Sequence, residues 1–186
     1  MGLEIEKKYR LTDKQREVLL RRLRETGSEP RDEEFEENTI YTGGDLHLKN
    51  CVLRLRRVAG GAILTYKERF PSSSAIKYQR EDETRVENAE ALAAILEALG
   101  FRPALVYEKR RAKWQVADAE VVIDELPFGL FLEIEGEEKA IMETERLLDL
   151  TEVEVELATY PQLTRRYGSR RGDLIEARFP RRQLES

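Results

Sequence analysis

Read as extended chain, residues 2–10 place Glu4, Glu6 and Lys8 on one face and Leu3, Ile5 and Tyr9 on the other, with Lys7 the exception on the apolar side. The arrangement recurs. Arg54 and Arg56 alternate with Leu53 and Leu55, Lys67 shares a face with Thr65, and Glu81 and Glu83 share one with Arg85. Lys109 falls with Arg111, Glu133 and Glu135 alternate with Leu132 and Ile134, and Asp124 alternates with Ile123. Like charges two residues apart on one face repel, and they are costly unless something of opposite sign binds between them. Carboxylate pairs without clustered His or Cys suit a hard divalent cation, Mg²⁺ or Mn²⁺, over zinc or copper. Arginine and lysine pairs suit phosphate oxygens, arginine through its two-pronged hydrogen bonding.

The elements that must hold these groups are short strands. Strand-like stretches span 2–10, 34–42, 52–59, 62–69, 76–86, 103–114, 116–125 and 129–136, with Gly60-Gly61 turning a hairpin between two of them. One strand of this kind would be an ordinary half-exposed sheet. Repeated one-sign blocks on many strands instead point inward, and eight strands are enough to close a small barrel. Closed with these faces inward, the strands would make a β-barrel with a charged lumen. About seven carboxylates and as many cations would share that lumen, which must then be wet or filled by a ligand. No Gly-rich phosphate loop occurs, so a phosphate site here is built from strand side chains.

Three helices are legible between the strands, with a shorter fourth piece near the end. Thr12 with Gln15 makes a capping box, Leu19 and Leu23 lie one turn apart, and Gly27 offers a stop. Asn88 caps a helix carrying Leu92, Ile95, Leu96 and Leu99 up to Gly100, and residues 139–149 set Ile141 and Leu148 on one face. A short helical piece follows Thr159 through Arg166, and the basic tail from Arg170 to Ser186 is expected to be poorly ordered.

The 186 residues suit one domain, with 37% charged residues against an ordinary share near roughly 25%. A net charge of -5 offers no basic surface for nucleic acid, and no apolar run reaches bilayer length, so neither nucleic acid nor a membrane is an expected partner. The start of the chain lacks a signal-peptide core, and the lone Cys51 cannot form an internal disulfide, which suits a cytoplasmic setting. Cys51 reads as a packed or edge residue, not as a nucleophile paired with His47. Residues alone leave a homodimer open.

In order along the chain, Glu4–Lys8 as ExExK, Tyr41, Leu53–Arg56, Thr65–Lys67, Glu81 and Glu83, Lys109–Arg111, Asp124 and Gly129–Glu135 resemble the CYTH, or triphosphate tunnel metalloenzyme, superfamily. Leu99-Gly100-Phe101 and Ala158–Leu163 look most like its class IV adenylate cyclase branch. The resemblance implies an α+β fold, an eight-stranded antiparallel β-barrel forming a tunnel with a charged lumen and helices packed outside, as a domain over residues 1–168 with a separate tail over 169–186. It also implies roles. Glu4, Glu6, Asp124, Glu133 and Glu135 would hold divalent metal, with Glu81 and Glu83 as additional carboxylates. Lys8, Arg54, Arg56, Lys67, Lys109 and Arg111 would grip a triphosphate, and Glu4, Glu6, Lys8, Glu133 and Glu135 would take part in catalysis. Position 79 departs from the pattern: Gln79 stands where the resemblance implies an arginine, so either the register is shifted or Arg80 or Arg85 substitutes.

The expected activity is metal-dependent hydrolysis of an inorganic or organic triphosphate. Cyclisation of ATP to cyclic AMP and pyrophosphate uses the same lumen, and a non-catalytic polyphosphate-binding module is a third reading, which the whole acidic set argues against. Tyr41, Tyr66 and Tyr160 could stack on a base, although strand aromatics more often pack.

Overall fold

The computed structural model describes residues 2–31, 33–71 and 74–181. In chain order it contains β1 (Gly2–Leu11), α1 (Asp13–Glu25), β2 (Glu34–Thr42), β3 (Cys51–Val58), β4 (Gly61–Arg69), β5 (Lys77–Val86) and α2 (Ala89–Ala98). There follow β6 (Arg102–Val116), β7 (Ala119–Leu126), β8 (Gly129–Glu135), α3 (Glu138–Leu147), α4 (Tyr160–Tyr167), β9 (Ser169–Arg171) and β10 (Leu174–Ala177).

The sheet runs β2-β3-β4-β5-β1-β8-β7-β6, and β6 pairs again with β2, so the eight strands close into the expected antiparallel barrel. Closure removes the free edges that an open sheet of this size would present. Gly60 and Gly61, at φ of +81° and +155°, turn the β3–β4 hairpin in a region other residues avoid.

The capping chemistry read from the residues is present. Thr12 accepts from the backbone N–H of Gln15, and the Gln15 side chain accepts from that of Thr12. Asn88 Oδ1 accepts from Ala91 N at 2.8 Å. Thr159 and Gln162 form a second capping box at the start of α4, which fixes where Tyr160 enters the barrel.

The principal apolar core lies outside the barrel wall. Tyr9, Trp114, Val121, Ile123, Leu132 and Ile134 face outward and pack against Leu19 and Leu23 of α1 and Ile141 of α3. Their alternating neighbours, Lys8, Val122, Asp124, Glu133 and Glu135, face inward. Lys7, the cation on the apolar side, is held there by Glu145 at 2.5 Å. Among the described residues, no helix is long and apolar enough to cross a membrane.

The tail departs from the expectation of disorder. β9 and β10 form a hairpin, and β10 runs parallel to β6, with Ile175 opposite Leu105 and Ala177 opposite Tyr107. The cause lies in the lengths of the strands. β7 pairs only with residues 110–116 of β6, so the edge at 105–107 is open until β10 occupies it. Beyond the hairpin, Arg178 forms ion pairs with Glu37, Glu108 at 2.9 Å and Glu176 at 3.0 Å, and strands of the barrel are thereby tied to the tail. Residues 182–186 of the expected tail lie outside the described residues.

Candidate active site

Cross-strand register brings the charged blocks onto one surface. Glu4 faces Gln79, Glu6 faces both Lys77 and Glu135, Lys8 faces Glu133, and Lys67 faces Glu81. Arg54 stands opposite Ile40 and Thr65, and Arg111 opposite Asp124. Because directly paired residues project to the same side of a sheet, these pairings put every block inside the barrel. The lumen holds a cavity of about 240 Å³. All of the expected site residues except Asp124 line it.

Carboxylates gather on the β1–β8 wall. Oxygens of Glu4, Glu6 and Glu135 lie within 4.8 Å of one another. Burial, then the charges of Glu133, Glu4 and Glu6, outweighs Arg111 and pushes the Glu135 carboxyl up to about 7. Burial and a hydrogen bond with Glu81 also raise Glu4, against the pull of Lys67. Three carboxylates crowded this closely form a donor set suited to a hard divalent cation, all oxygen and without sulfur or imidazole.

The other expected acids behave differently. Glu81 lies 2.5 Å from Lys67 and 3.6 Å from Arg54, while Glu83 accepts from Thr65 at 2.7 Å and lies 3.3 Å from Arg54. Glu133 accepts from Arg111 at 2.6 Å. These three acids orient cations.

Asp124, expected among the metal carboxylates, is placed away from them. It is fully buried and accepts from Arg111 Nε at 2.7 Å, Arg111 Nη2 at 2.6 Å and the Tyr160 hydroxyl at 2.8 Å, with Lys109 Nζ at 3.4 Å. Its lone pairs are occupied. Burial favours its neutral form, but Arg111 and Lys109 outweigh burial and hold its carboxyl below the usual range. The physical role visible here is to fix a fork of cations.

The cations form the facing walls. Arg54, Arg56, Lys67, Lys109 and Arg111 come from β3, β4 and β6, and each meets at least one carboxylate within 4.0 Å. Lys8 differs: it is 1% exposed, and its ammonium sits 4.3 Å over the Tyr160 ring. Burial and then Lys77 draw its pKa down to about 8, against the opposing pull of Glu133 and Glu6.

Four lumen residues escaped the sequence reading. Glu36 is fully buried, contacts Lys109 at 3.3 Å and Arg56 at 3.4 Å, and accepts from Asn38 at 3.1 Å. Burial would raise it, yet Lys109, Arg111 and Arg56 outweigh burial and hold its pKa near 2. Its alternation with Asn38 and Ile40 is present in the sequence, but Glu33, Glu34 and Glu37 around it blur the parity. Lys113, Tyr107 and Arg69 line the cavity, and Arg69 shares strand parity with Thr65 and Lys67.

Neither expected substitute for an arginine at position 79 serves. Arg80 is on the outer face, bound to Asp82 at 2.7 Å, and Arg85 is exposed. Of the three tyrosines expected as stacking candidates, Tyr41 packs in an outer cluster with Leu53 and Leu96 and Tyr66 meets Cys51 at 2.9 Å, while Tyr160 reaches the cavity.

A closed antiparallel barrel with carboxylates on one inner wall and cations on the others is a tunnel protein, its lumen charged and its principal apolar core displaced outward. A model of the CYTH domain matches residues 2–163, and the chain belongs to that family. It is 30% identical over 151 residues, 79% of this chain and 84% of the other, to a protein of Methanocaldococcus jannaschii provisionally named an adenylate cyclase. Among solved structures, the PH1012 protein of Pyrococcus horikoshii OT3 superposes with a TM-score of 0.74 at 26% identity, covering 84% of this chain and 96% of that one. A Hippeastrum protein, provisionally an adenylyl cyclase and described as having a dominant triphosphatase activity, shares the fold at a TM-score of 0.67 and 18% identity, over 89% and 96% of the two chains.

Proposed function

We propose that the protein is a divalent-metal-dependent triphosphatase that hydrolyses inorganic or organic triphosphates inside its barrel. The observation that carries this reading is the Glu4, Glu6, Glu135 cluster facing walls of arginine and lysine across a cavity of about 240 Å³. That volume falls below the roughly 300–1,000 Å³ of sites that enclose drug-sized molecules, so a compact polyanion fits inside while an attached nucleoside would project from the lumen.

Glu4, Glu6 and Glu135 would hold Mg²⁺ or Mn²⁺. When bound, such an ion supplies charge neutralisation at phosphate oxygens and lowers the pKa of an attacking water. Lys8, Arg54, Arg56, Lys67, Lys109 and Arg111 bind the non-bridging oxygens and offset the charge that develops as the bond to the leaving phosphate breaks. In the free protein Glu81, Glu83 and Glu133 already orient those cations, so little rearrangement is needed on binding.

Cyclisation of ATP is the second reading, and the cyclase name of the M. jannaschii relative favours it. In that case the ribose 3′-hydroxyl attacks the α-phosphorus and expels pyrophosphate. The fold does not choose between the two. Incubation with tripolyphosphate, and separately with ATP, each with Mg²⁺ or Mn²⁺, decides by product analysis: orthophosphate is the expected product, and cyclic AMP with pyrophosphate would replace this reading by the second.

Metal uptake should also depend on pH in a specified direction. The Glu135 carboxyl titrates near 7 in the metal-free protein and must ionise to bind. Affinity for Mn²⁺ should therefore rise between pH 6 and pH 7, by at most roughly tenfold for a single proton, and flatten above pH 8. Calorimetric titration in buffers of different ionisation enthalpy should show proton release on binding at pH 6 and little at pH 8.5; equal release at both would remove Glu135 from the metal set.

A further inference from the structure

Most of the cations that line the cavity are already paired. Arg54 meets Glu81 and Glu83, Arg56 meets Glu36, and Lys67 meets Glu4 and Glu81. Lys109, Arg111 and Lys113 meet Asp124, Glu133 and Glu120. Among the described residues, two lumen cations have neither a hydrogen bond nor a carboxylate within 4.0 Å: Lys8, which rests on the Tyr160 ring, and Arg69. Arg69 Nε is moreover a buried donor with no hydrogen-bond partner among those residues. An unpartnered guanidinium facing a cavity is costly unless a ligand meets it.

Its place in the wall says which ligand. Arg69 stands directly opposite Gln79, and Gln79 directly opposite Glu4, to which its amide donates at 3.1 Å. Two strand spacings, about 10 Å, therefore separate the Arg69 backbone from that of a carboxylate of the cluster, within reach of an extended arginine and one phosphate group. Along β4 it continues the row formed by Arg54 opposite Thr65 and then Lys67, so the cationic wall extends past the cluster toward α4. Arg165 of α4 repels it from that side, while Glu6 attracts it.

We propose that Arg69 binds a phosphate group of the triphosphate beside the Glu4–Glu6 carboxylates, and that with neutral Gln79 opposite it Arg69 supplies the guanidinium for that part of the wall. This rests on the triphosphate reading above. The bland alternative is a counter-charge that only tempers the carboxylates, and the two differ in what they bind.

The test is calorimetric binding of inorganic tripolyphosphate in EDTA, and separately of Mn²⁺ without phosphate, to wild type, Arg69→Gln, Arg69→Lys and the exchanged pair Arg69→Gln with Gln79→Arg. Arg69→Gln should weaken tripolyphosphate binding roughly 10- to 100-fold, as expected for hydrogen bonds to a charged group. Arg69→Lys, which keeps charge but loses the fork, should recover part of this, and the exchanged pair most of it. A field effect alone acts through charge and is retained whole by lysine, so tripolyphosphate affinity within twofold of wild type in Arg69→Lys overturns the assignment, as does affinity within twofold of wild type in Arg69→Gln. Failure of wild type itself to bind tripolyphosphate would sink the triphosphate reading, a result distinguishable from the former. Thermal melts confirm the fold of each variant; should Arg69→Gln not fold, unchanged affinity in Arg69→Lys is the overturning result.

Discussion

Glu135→Gln should abolish metal-dependent turnover of tripolyphosphate while making the metal-free protein more stable at pH 8. The first half follows from the cluster: one of three carboxylates converging within 4.8 Å is lost, and even outer partners of metal ligands are worth roughly 10–100-fold in affinity or activity. The second half follows from linkage. A carboxyl raised from 4.5 to about 7 by folding is easier to keep neutral than charged in the native state, so the metal-free fold loses stability as pH rises from about 4.5 through about 7. A neutral amide at position 135 removes that loss. Melting curves at pH 5 and pH 8, without metal, should therefore converge in the variant and diverge in wild type. A variant less stable than wild type at pH 8 would mean that Glu135 serves packing or hydrogen bonding and not a charge cluster.

Asp124→Asn should do the reverse. It should cost the protein stability and phosphate binding, and it should spare the metal. Arg111, Lys109 and the Tyr160 hydroxyl all converge on this buried carboxylate, and breaking a buried ionic arrangement by removing one partner costs about 3–5 kcal/mol. For a chain of this size that lowers Tm by roughly 6–20 °C. With the fork released, Arg111 loses its orientation, and tripolyphosphate binding should fall with it. Mn²⁺ affinity should stay within about twofold of wild type. A loss of metal affinity comparable to that of Glu135→Gln would place Asp124 in the metal set with Glu4, Glu6 and Glu135.

How much of this was legible beforehand is clearest at Glu133 and Asp124. Parity along a strand states which face a side chain takes, and it placed both inward. It does not state what faces them across the barrel, and that is what separates an acid free to hold a metal from one bound by three donors. Closure through β2 and β6 supplied that information, since it sets Glu36, Lys109 and Arg111 together from segments far apart in the chain. Arg69 illustrates the same limit. Its strand parity is plain, but its relation to Gln79 exists only through register. The tail misled for another reason. Strands of only three and four residues carry too little alternation to announce themselves, and β10 forms because β6 outruns β7, a matter of lengths rather than residue types. The helices, by contrast, were local facts, and their caps were readable as such.

The outward displacement of the apolar core has a consequence for how such a protein can change over generations. In most domains the residues that determine chemistry share their neighbours with those that determine folding, and altering one disturbs the other. Here Leu132 and Ile134 answer to the surrounding helices, while Glu133 and Glu135, one position away on the same strand, answer to the charged lumen. Alternate letters of one strand are therefore under separate selection. The barrel can retune its charge lining, and so the molecule it admits, while the side of the wall that keeps it folded is copied unaltered.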